Sequence, residues 1–126
     1  MAFEFNNKTF SCPVELALSV ISGKWKIFIL YFLEQKTHRY GELKKAIPDI
    51  TQKMLTQQLR ELEADGLIVR TVYPVVPPKV EYSLSDSGKS VQPILVELCK
   101  FGEKLYFDAE GKSTEFPCDM SEVPDN

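Results

Sequence analysis

The sequence predicts one mainly helical α+β domain, on the strength of three observations. Apolar residues recur every three or four positions through most of residues 12–66 and again through 86–107, which is the helical period. Between these stretches, residues 67–84 alternate apolar and polar side chains, as strands do. A chain of 126 residues that is 44% hydrophobic is long enough to bury one core. The class predicted is therefore α+β with a small sheet.

The first two helices follow from a proline and from an apolar run. Cys12-Pro13 opens the first helix, because proline suits the first helical position, and the helix should end near Ser22-Gly23. A second helix, from about 24 to 35, is apolar nearly all round. We expect it to be the central buried element. Residues 1–11 form an N-terminal arm.

The best-specified helix lies within residues 51–66. Thr51 is a good N-cap, and Asp65-Gly66 supplies a left-handed stop. A short helix over 41–47 and the turn 48–49 precede it. Two helices joined by such a short turn make a helix-turn-helix pattern.

Two strands, 67–73 and 79–84, are predicted to pair as a hairpin. The Pro-rich segment 74–78 between them lacks tight-turn residues, so it should be a stiff protruding loop. A helix-turn-helix followed by such a hairpin is a winged helix.

The last predicted helix begins after the cap Ser85 and runs to about Phe107. Pro93 should kink it, because an interior proline removes one hydrogen bond. The domain then spans 12–108, and the acidic tail 109–126 is expected to be flexible.

The outer face of the 51–66 helix carries the functional argument. Three leucines, Leu55, Leu59 and Leu62, share one stripe, and polar side chains gather opposite them. These polar residues are Lys53, Thr56, Gln57 and Arg60. Their donors and acceptors suit readout of base edges in the DNA major groove. The alternative, a solvated polar face, is equally supported by this helix alone, because polar outer faces are the default for amphipathic helices.

The charge distribution is compatible with DNA although the net charge is −3. Residues 24–60 contain eight basic and three acidic residues, whereas 103–126 contain two basic and seven acidic ones. Screening confines each charge to roughly 8 to 10 Å, so a basic middle can bind phosphates on its own.

Other classes of function find little support. The run Ile27–Leu33 is far too short to span a bilayer and no signal peptide is visible, so a cytoplasmic protein without membrane contact is expected. His38 is the only histidine, no nucleophile has an identifiable base, and the glycines are scattered. We therefore expect no enzyme activity and no cofactor. Cys12, Cys99 and Cys118 lack CxxC spacing, so reduced thiols and no metal site are expected.

A set of short motifs in fixed order resembles the HxlR-type winged helix-turn-helix transcription regulators, which are related to MarR. The resemblance covers roughly residues 12–106. The motifs are Cys12-Pro13-Val14, Gly23-Lys24-Trp25, Arg39-Tyr40-Gly41-Glu42-Leu43, Lys53-Met54-Leu55-Thr56, Leu59-Arg60-Glu61-Leu62, Asp65-Gly66-Leu67-Ile68 and Pro77-Pro78-Lys79-Val80-Glu81-Tyr82-Ser83-Leu84. Three residues depart from the common pattern: Tyr40 replaces Phe, Asp49 replaces Gly, and Phe101 replaces Trp.

The resemblance implies a homodimer held by the first and last helices and bound to a pseudo-palindromic operator in double-stranded DNA. Each protomer would place its recognition helix in the major groove and its wing against the flanking backbone or minor groove. With the charge pattern, it nominates ten DNA-binding residues: Lys24, Arg39, Lys44, Thr51, Gln52, Lys53, Thr56, Gln57, Arg60 and Lys79. The alternative function is a winged-helix protein-interaction module without DNA binding. Against it, residues 51–60 hold no acid and no exposed aromatic residue of the kind that protein-docking surfaces favour.

Cys12 is a candidate redox sensor, because several relatives in this family sense oxidants or electrophiles with an N-terminal cysteine in this position. Free amides at a helix N-terminus favour the thiolate and speed its reaction with small electrophiles. Against this, Glu15 lies one turn away. The structural alternative is a small apolar residue at the dimer contact. Cys99 is expected to be core and Cys118 incidental.

Overall fold

The structure is a computed structural model that describes residues 2–110. The tail predicted over 109–126 therefore lies outside the described residues from 111 onward. Helices and strands follow one another in this order: β1 Phe3–Phe5, β2 Lys8–Phe10, α1 Pro13–Ile21, α2 Lys26–Gln35, β3 His38–Arg39, α3 Tyr40–Ala46, α4 Gln52–Ala64, β4 Ile68–Tyr73, β5 Lys79–Leu84, α5 Asp86–Lys89 and α6 Gln92–Glu110.

Helix α2 lies at the centre of the core, as its composition predicts. Ile29 and Leu30 are 0% and 2% exposed, and Phe32 and Leu33 are also buried. The same core contains apolar side chains of α3, α4, β4 and β5. A charged residue in this helix, Lys26, is buried as well, which the apolar pattern did not indicate.

The wing is an antiparallel sheet with strand order β3-β5-β4. Strands β4 and β5 pair with Arg70 opposite Tyr82, so the predicted hairpin is confirmed. Strand β3 was not predicted, because a two-residue strand is too short to show alternation. The loop between β4 and β5 protrudes, and Val76 in it is 99% exposed.

Helix α4 begins and ends where the sequence predicts. The Thr51 hydroxyl accepts a hydrogen bond from the Met54 amide at 3.0 Å, which caps the helix. Gly66 has φ +80, and the Leu67 amide donates to the Leu62 carbonyl at 2.9 Å, which is the closing bond of a Schellman motif. With both ends fixed, the orientation of the outer face is fixed too.

The single long helix expected after Ser85 is wrong, because the chain forms two helices that are interrupted at Ser90–Val91. Pro93 stands at the second position of α6, where its missing N–H has no intrahelical partner to lose. The proline thus starts a new helix rather than bending an old one. Helix α5 packs so closely on the wing that a Cβ at Gly88 would collide with the Leu67 carbonyl oxygen.

The predicted N-terminal arm folds as the hairpin β1–β2. Asn6 and Asn7, at φ 50 and 64, form its turn, which is the geometry of a two-residue type I′ connection. The Asn6 side-chain amide donates to the Ala64 carbonyl at 3.1 Å and to Asp65 Oδ1 at 3.2 Å. The hairpin is thereby attached to the C-terminal end of α4.

Between residues 2 and 110, no single helix is both long and apolar enough to cross a membrane, and only α1 and α2, bent by 79°, pass that test as a pair.

Candidate nucleic-acid interface

Half of the nominated residues come together on the outer face of α4. The structure places Gln52, Lys53, Thr56, Gln57 and Arg60 along one open groove, which Glu61 completes. The opposite face of the helix is buried, since Leu55, Leu59 and Leu62 are at most 2% exposed. The outer face is therefore a continuous polar surface backed by the core.

The other nominated residues lie outside this groove. Thr51 uses its hydroxyl to cap α4 by accepting from the Met54 amide. Arg39 lies immediately before α3, and its backbone amide donates to Glu42 Oε1 at 2.8 Å. That hydrogen bond lowers the pKa of the Glu42 carboxyl below its ordinary value.

The nominated lysines differ in how far their charges are already engaged. Lys24 places its Nζ 4.6 Å from the centre of the Trp25 ring. Lys44 is half-buried on α3. Lys79 has its Nζ 3.3 Å from a carboxylate oxygen of Glu81. A phosphate would have to compete with that carboxylate, so Lys79 is the least available of the three.

An ion pair behind the groove was missed by the sequence argument. The buried Lys26 places its Nζ 2.7 Å from Glu61 Oε1. The other carboxylate oxygen of Glu61 accepts from Gln57 Nε2 at 3.1 Å. Hydrogen bonding by Lys26 is the main reason that the pKa of Glu61 is lowered, and it outweighs partial desolvation. The contact joins α2 to Gln57 in the groove of α4, and only the four-residue spacing of Gln57 and Glu61 could have suggested part of it.

Because a carboxylate can only accept, the Gln57 side chain must present its amide nitrogen to Glu61. One N–H is used there, and the amide oxygen and second N–H remain available. That pair of groups is the one that glutamine uses for a bidentate contact to adenine.

A second hydrogen-bonded contact attaches α4 to α3. The Tyr40 hydroxyl lies 2.9 Å from the Gln52 carbonyl oxygen and 3.1 Å from Thr56 Oγ1. Tyr40 thus joins the two helices of the helix-turn-helix at the start of the recognition helix. It was noted in the sequence only as a departure from Phe.

A cavity of about 350 Å³ continues from the groove toward the wing. Its lining includes Thr56, Arg60 and Arg70, and Arg70 comes from β4. Arg70 was not nominated, because a strand residue shows no spacing relation to a helix 10 positions earlier. The cavity makes Arg70 a further cation beside the groove.

The cysteines differ from expectation in one respect. Cys12 is a free, exposed cysteine, with extended backbone immediately before α1, and its side chain does not cap that helix. Cys99 is half-buried and disulfide-bonded, so the expectation of a reduced thiol is wrong for that residue. Sequence spacing excludes only local cysteine pairs, so it could not indicate this bond. Cys118 lies outside the described residues.

Two helices present apolar side chains to solvent. Val14 and Leu18 of α1 are 63% and 53% exposed, and Phe101 and Leu105 of α6 are 60% and 55% exposed. Such a set on a small domain is typical of a protein–protein interface. Across residues 2–110 there is no cluster of three or more metal-binding side chains.

Comparison with known proteins agrees with this architecture. The family model described as HxlR-like helix-turn-helix matches residues 20–110. The uncharacterized HTH-type transcriptional regulator YkvN of Bacillus subtilis (strain 168) is 58% identical over 107 residues, which are 82% of this chain and 91% of YkvN.

Two solved structures of one redox regulator are also similar. HypR in its reduced form is 46% identical, with a TM-score of 0.73 over 80% of this chain and 100% of that one. HypR in its oxidized form is 50% identical, with a TM-score of 0.68 over 74% of this chain and 96% of that one. Fold, helix-turn-helix and sequence agree, and the chain belongs to the HxlR-like helix-turn-helix family, the winged-helix transcription regulators related to MarR.

Proposed function

We propose that this transcription regulator is a homodimer that binds a pseudo-palindromic operator sequence-specifically, with residues 12–108 as its DNA-binding and dimerisation domain. The observation that carries the proposal is the groove of α4, where five nominated polar side chains lie together over a buried leucine face. Major-groove readout requires such a rigidly held row of donors and acceptors.

Within the groove, different residues are assigned different tasks. Thr56 and Gln57 are assigned to base edges, because their side chains are held by Tyr40 and Glu61. Arg60 suits guanine O6 and N7 or a phosphate, and Lys53 suits either target. Lys24, Arg39 and Lys44 are assigned to the DNA backbone, where contacts add affinity without selecting sequence.

The dimer is supported by the apolar faces of α1 and α6. A protomer that leaves Leu98, Phe101 and Leu105 between 46% and 60% exposed gains by covering them with the same surface of a second copy. Twofold symmetry then places two copies of α4 on half-sites about one helical turn, or a small multiple, apart.

The test is selection of bound fragments from random duplex DNA, followed by titration of operator variants. Gln57→Ala and Thr56→Ala should each lose discrimination at particular base pairs, by roughly 1 to 3 kcal/mol for a good contact. Lys24→Ala and Lys44→Ala should weaken binding to all DNA sequences alike and should reduce the dependence of that binding on salt concentration.

Gln58→Ala is a matched control for Gln57→Ala. Gln58 is its neighbour on the same helix, but its side chain donates to the Met54 sulfur and does not line the groove. If Gln57→Ala and Thr56→Ala leave the ranking of operator variants unchanged, the assignment of this face is wrong. If the protein selects no DNA sequence and instead binds a protein through α4, the interaction-module alternative is correct.

We also propose that Cys12 makes DNA binding responsive to oxidants or electrophiles. The supporting observations are its exposure as a free thiol, its place before α1, and the similarity to a protein described as a redox regulator. Addition of the Cys12 sulfur to a quinone, with the proton moving to the quinone, would put a bulky group beside Val14 at the dimer contact. A small tilt of one protomer then changes the spacing of the two recognition helices.

The test is a DNA-binding titration of parent and Cys12→Ser protein, with and without diamide or a quinone. We expect the parent to change its operator affinity and Cys12→Ser to keep it. Equal responses of the two proteins would assign Cys12 a structural role only.

A further inference from the structure

We propose that Tyr40 is a positioning residue that turns Thr56 into a hydrogen-bond acceptor toward DNA, so that Thr56 selects a base with an exocyclic amino group. The inference rests on the proposed function and adds the chemical class of base that one residue recognises. It is carried by the contact among Tyr40, Thr56 and the first turn of α4.

Hydrogen counting fixes the direction of each hydrogen bond. The Tyr40 oxygen lies 2.9 Å from the Gln52 carbonyl oxygen, and a carbonyl can only accept. Tyr40 has one hydroxyl hydrogen, which is therefore donated to Gln52. The second contact, 3.1 Å between the Tyr40 oxygen and Thr56 Oγ1, then needs its hydrogen from Thr56.

Thr56 has no other hydroxyl hydrogen to offer. Its remaining groups are the lone pairs of Oγ1 and the methyl group. The side chain is half-buried and lines both the groove of α4 and the cavity next to Arg70, so these groups are presented where a base edge would lie. Tyr40 itself is half-buried, and its contact with Thr56 is partly buried.

An acceptor with a methyl group discriminates among base edges. In the major groove the exocyclic donors are adenine N6 and cytosine N4, whereas guanine O6 and thymine O4 are acceptors. Thr56 as an acceptor favours adenine or cytosine on the contacted strand. For Thr56 to donate instead, its hydroxyl hydrogen must first leave the Tyr40 oxygen, which then keeps only the hydrogen bond that it donates to the Gln52 carbonyl.

Tyr40→Phe removes this constraint while keeping the ring. Without the tyrosine oxygen, the Thr56 hydrogen is free to turn into the groove and can serve a base acceptor. We expect the preference for an amino-bearing base at the Thr56 position to fall roughly three- to ten-fold, the value of one neutral hydrogen bond. Preferences at the other positions should hold.

The experiment measures base preference in six proteins: parent, Tyr40→Phe, Thr56→Val, Thr56→Ser, the double variant Tyr40→Phe/Thr56→Val, and the control Tyr31→Phe. Thr56→Val removes the hydroxyl with little change of shape. The base pair at which this variant alters base preference defines the Thr56 position. The amino group can be deleted directly with a duplex that carries unsubstituted purine in place of adenine there, or 2-pyrimidinone in place of cytosine. This deletion should weaken DNA binding by the parent and by Thr56→Ser but not by Thr56→Val.

The double variant separates positioning from general support. If Tyr40 acts through Thr56, adding Tyr40→Phe to Thr56→Val changes the preference no further. Tyr31→Phe, which deletes a hydroxyl from α2 outside the groove, controls for the loss of a tyrosine oxygen in general. If Tyr40→Phe unfolds, Thr56→Ser against Thr56→Val still tests whether the hydroxyl accepts from an amino group.

The outcomes distinguish this inference from the proposed function. A parent protein that selects no sequence overturns both. A parent that selects an operator, with Tyr40→Phe showing the same base preferences or a uniform loss at every position, overturns the inference alone. A preference for guanine or thymine at the Thr56 position of the contacted strand also overturns it.

Discussion

Helices α4 and α6 are both amphipathic, but the protomer covers the apolar stripe of only one of them. In α4, Leu55, Leu59 and Leu62 are 0% to 2% exposed. In α6, Ile94 and Phe101 are 47% and 60% exposed. The free energy of burying the apolar stripe is thus gained within one chain for α4, whereas much of the stripe of α6 stays exposed in the single chain.

The polar contacts of the two helices also differ. Helix α4 is bonded to other elements, through Tyr40 of α3, Lys26 of α2 and Asn6 of the N-terminal hairpin. The ion pairs of α6 within the described residues, Lys100 with Glu97 and Lys104 with Asp108, are internal to that helix. Helix α4 is thus held in a fixed orientation by its neighbours.

The largest effect should come from opening the stripe of α4. Leu62→Ala leaves a cavity in a fully buried site and should cost about 2 to 5 kcal/mol of unfolding free energy. Urea unfolding at high protein concentration, where the dimer is saturated, measures it. Leu98→Ala in α6 is the control. If Leu62→Ala and Leu98→Ala lost the same unfolding free energy, and neither loss varied with protein concentration, the distinction between the two helices would be contradicted.

Truncation in α6 should act on association. Phe101→Ala removes a large apolar group from the proposed dimer surface and should weaken dimerisation by roughly 2 kcal/mol, which is about 30-fold in Kd. Sedimentation equilibrium checks this value. Val76→Ala, at the exposed tip of the wing loop, should leave the dimer unchanged. A parent protein that is monomeric at micromolar concentration would rule out the proposed role of α6.

Removing the cap of α4 should have a smaller effect. Thr51→Ala leaves the Met54 amide without its hydroxyl acceptor and should cost about 1 kcal/mol. Thermal unfolding of Thr51→Ala and Thr51→Ser gives the comparison. Serine keeps the hydroxyl, so Thr51→Ser should retain most of the stability. Equal destabilisation by both variants would show that the cap does not stabilise the helix.

The smallest effect is a pH dependence at the Lys26–Glu61 pair. The lowered pKa of Glu61 means that its contribution to stability is present above the ordinary value of 4.5 and is lost as pH falls through the lower folded-state pKa. The Glu61 side chain is 41% exposed, so the contribution should stay below about 1 kcal/mol. Glu61→Gln should remove this acid-side loss in urea titrations. Unchanged pH dependence in that variant would contradict it.

Local signals predicted the parts of the fold that neighbouring residues determine. The ends of α4 depend on Thr51 and Gly66, whose preferences are intrinsic, and the bounds of β5 follow from alternation. The Asn6-Asn7 turn of the N-terminal hairpin is a local signal of the same kind. To predict the break before α6, one must know that Pro93 lies in the first turn of a helix rather than in its interior. Helix ends cannot be located from sequence to within two residues, so the break was not predicted.

The polar groove could be predicted because its residues repeat with the helical period. The contacts that fix those residues could not, because each joins distant parts of the chain. Lys26 stands in an apolar run, and only the fold places it beside Glu61. Tyr40 and Thr56 are 16 positions apart, and Arg70 of β4 lines the cavity beside the groove only because the fold brings the wing next to α4.

The N-terminal hairpin has a consequence for the order in which the molecule opens. Its bonds from Asn6 to Ala64 and Asp65 span 58 and 59 positions, so a long chain segment must be folded before they can form. Both hydrogen bonds are exposed to solvent. Such a contact is among the first to open and the last to close. Amide hydrogens in the last turn of α4 should therefore exchange by local opening, while those beside Leu59 exchange only when the whole domain unfolds.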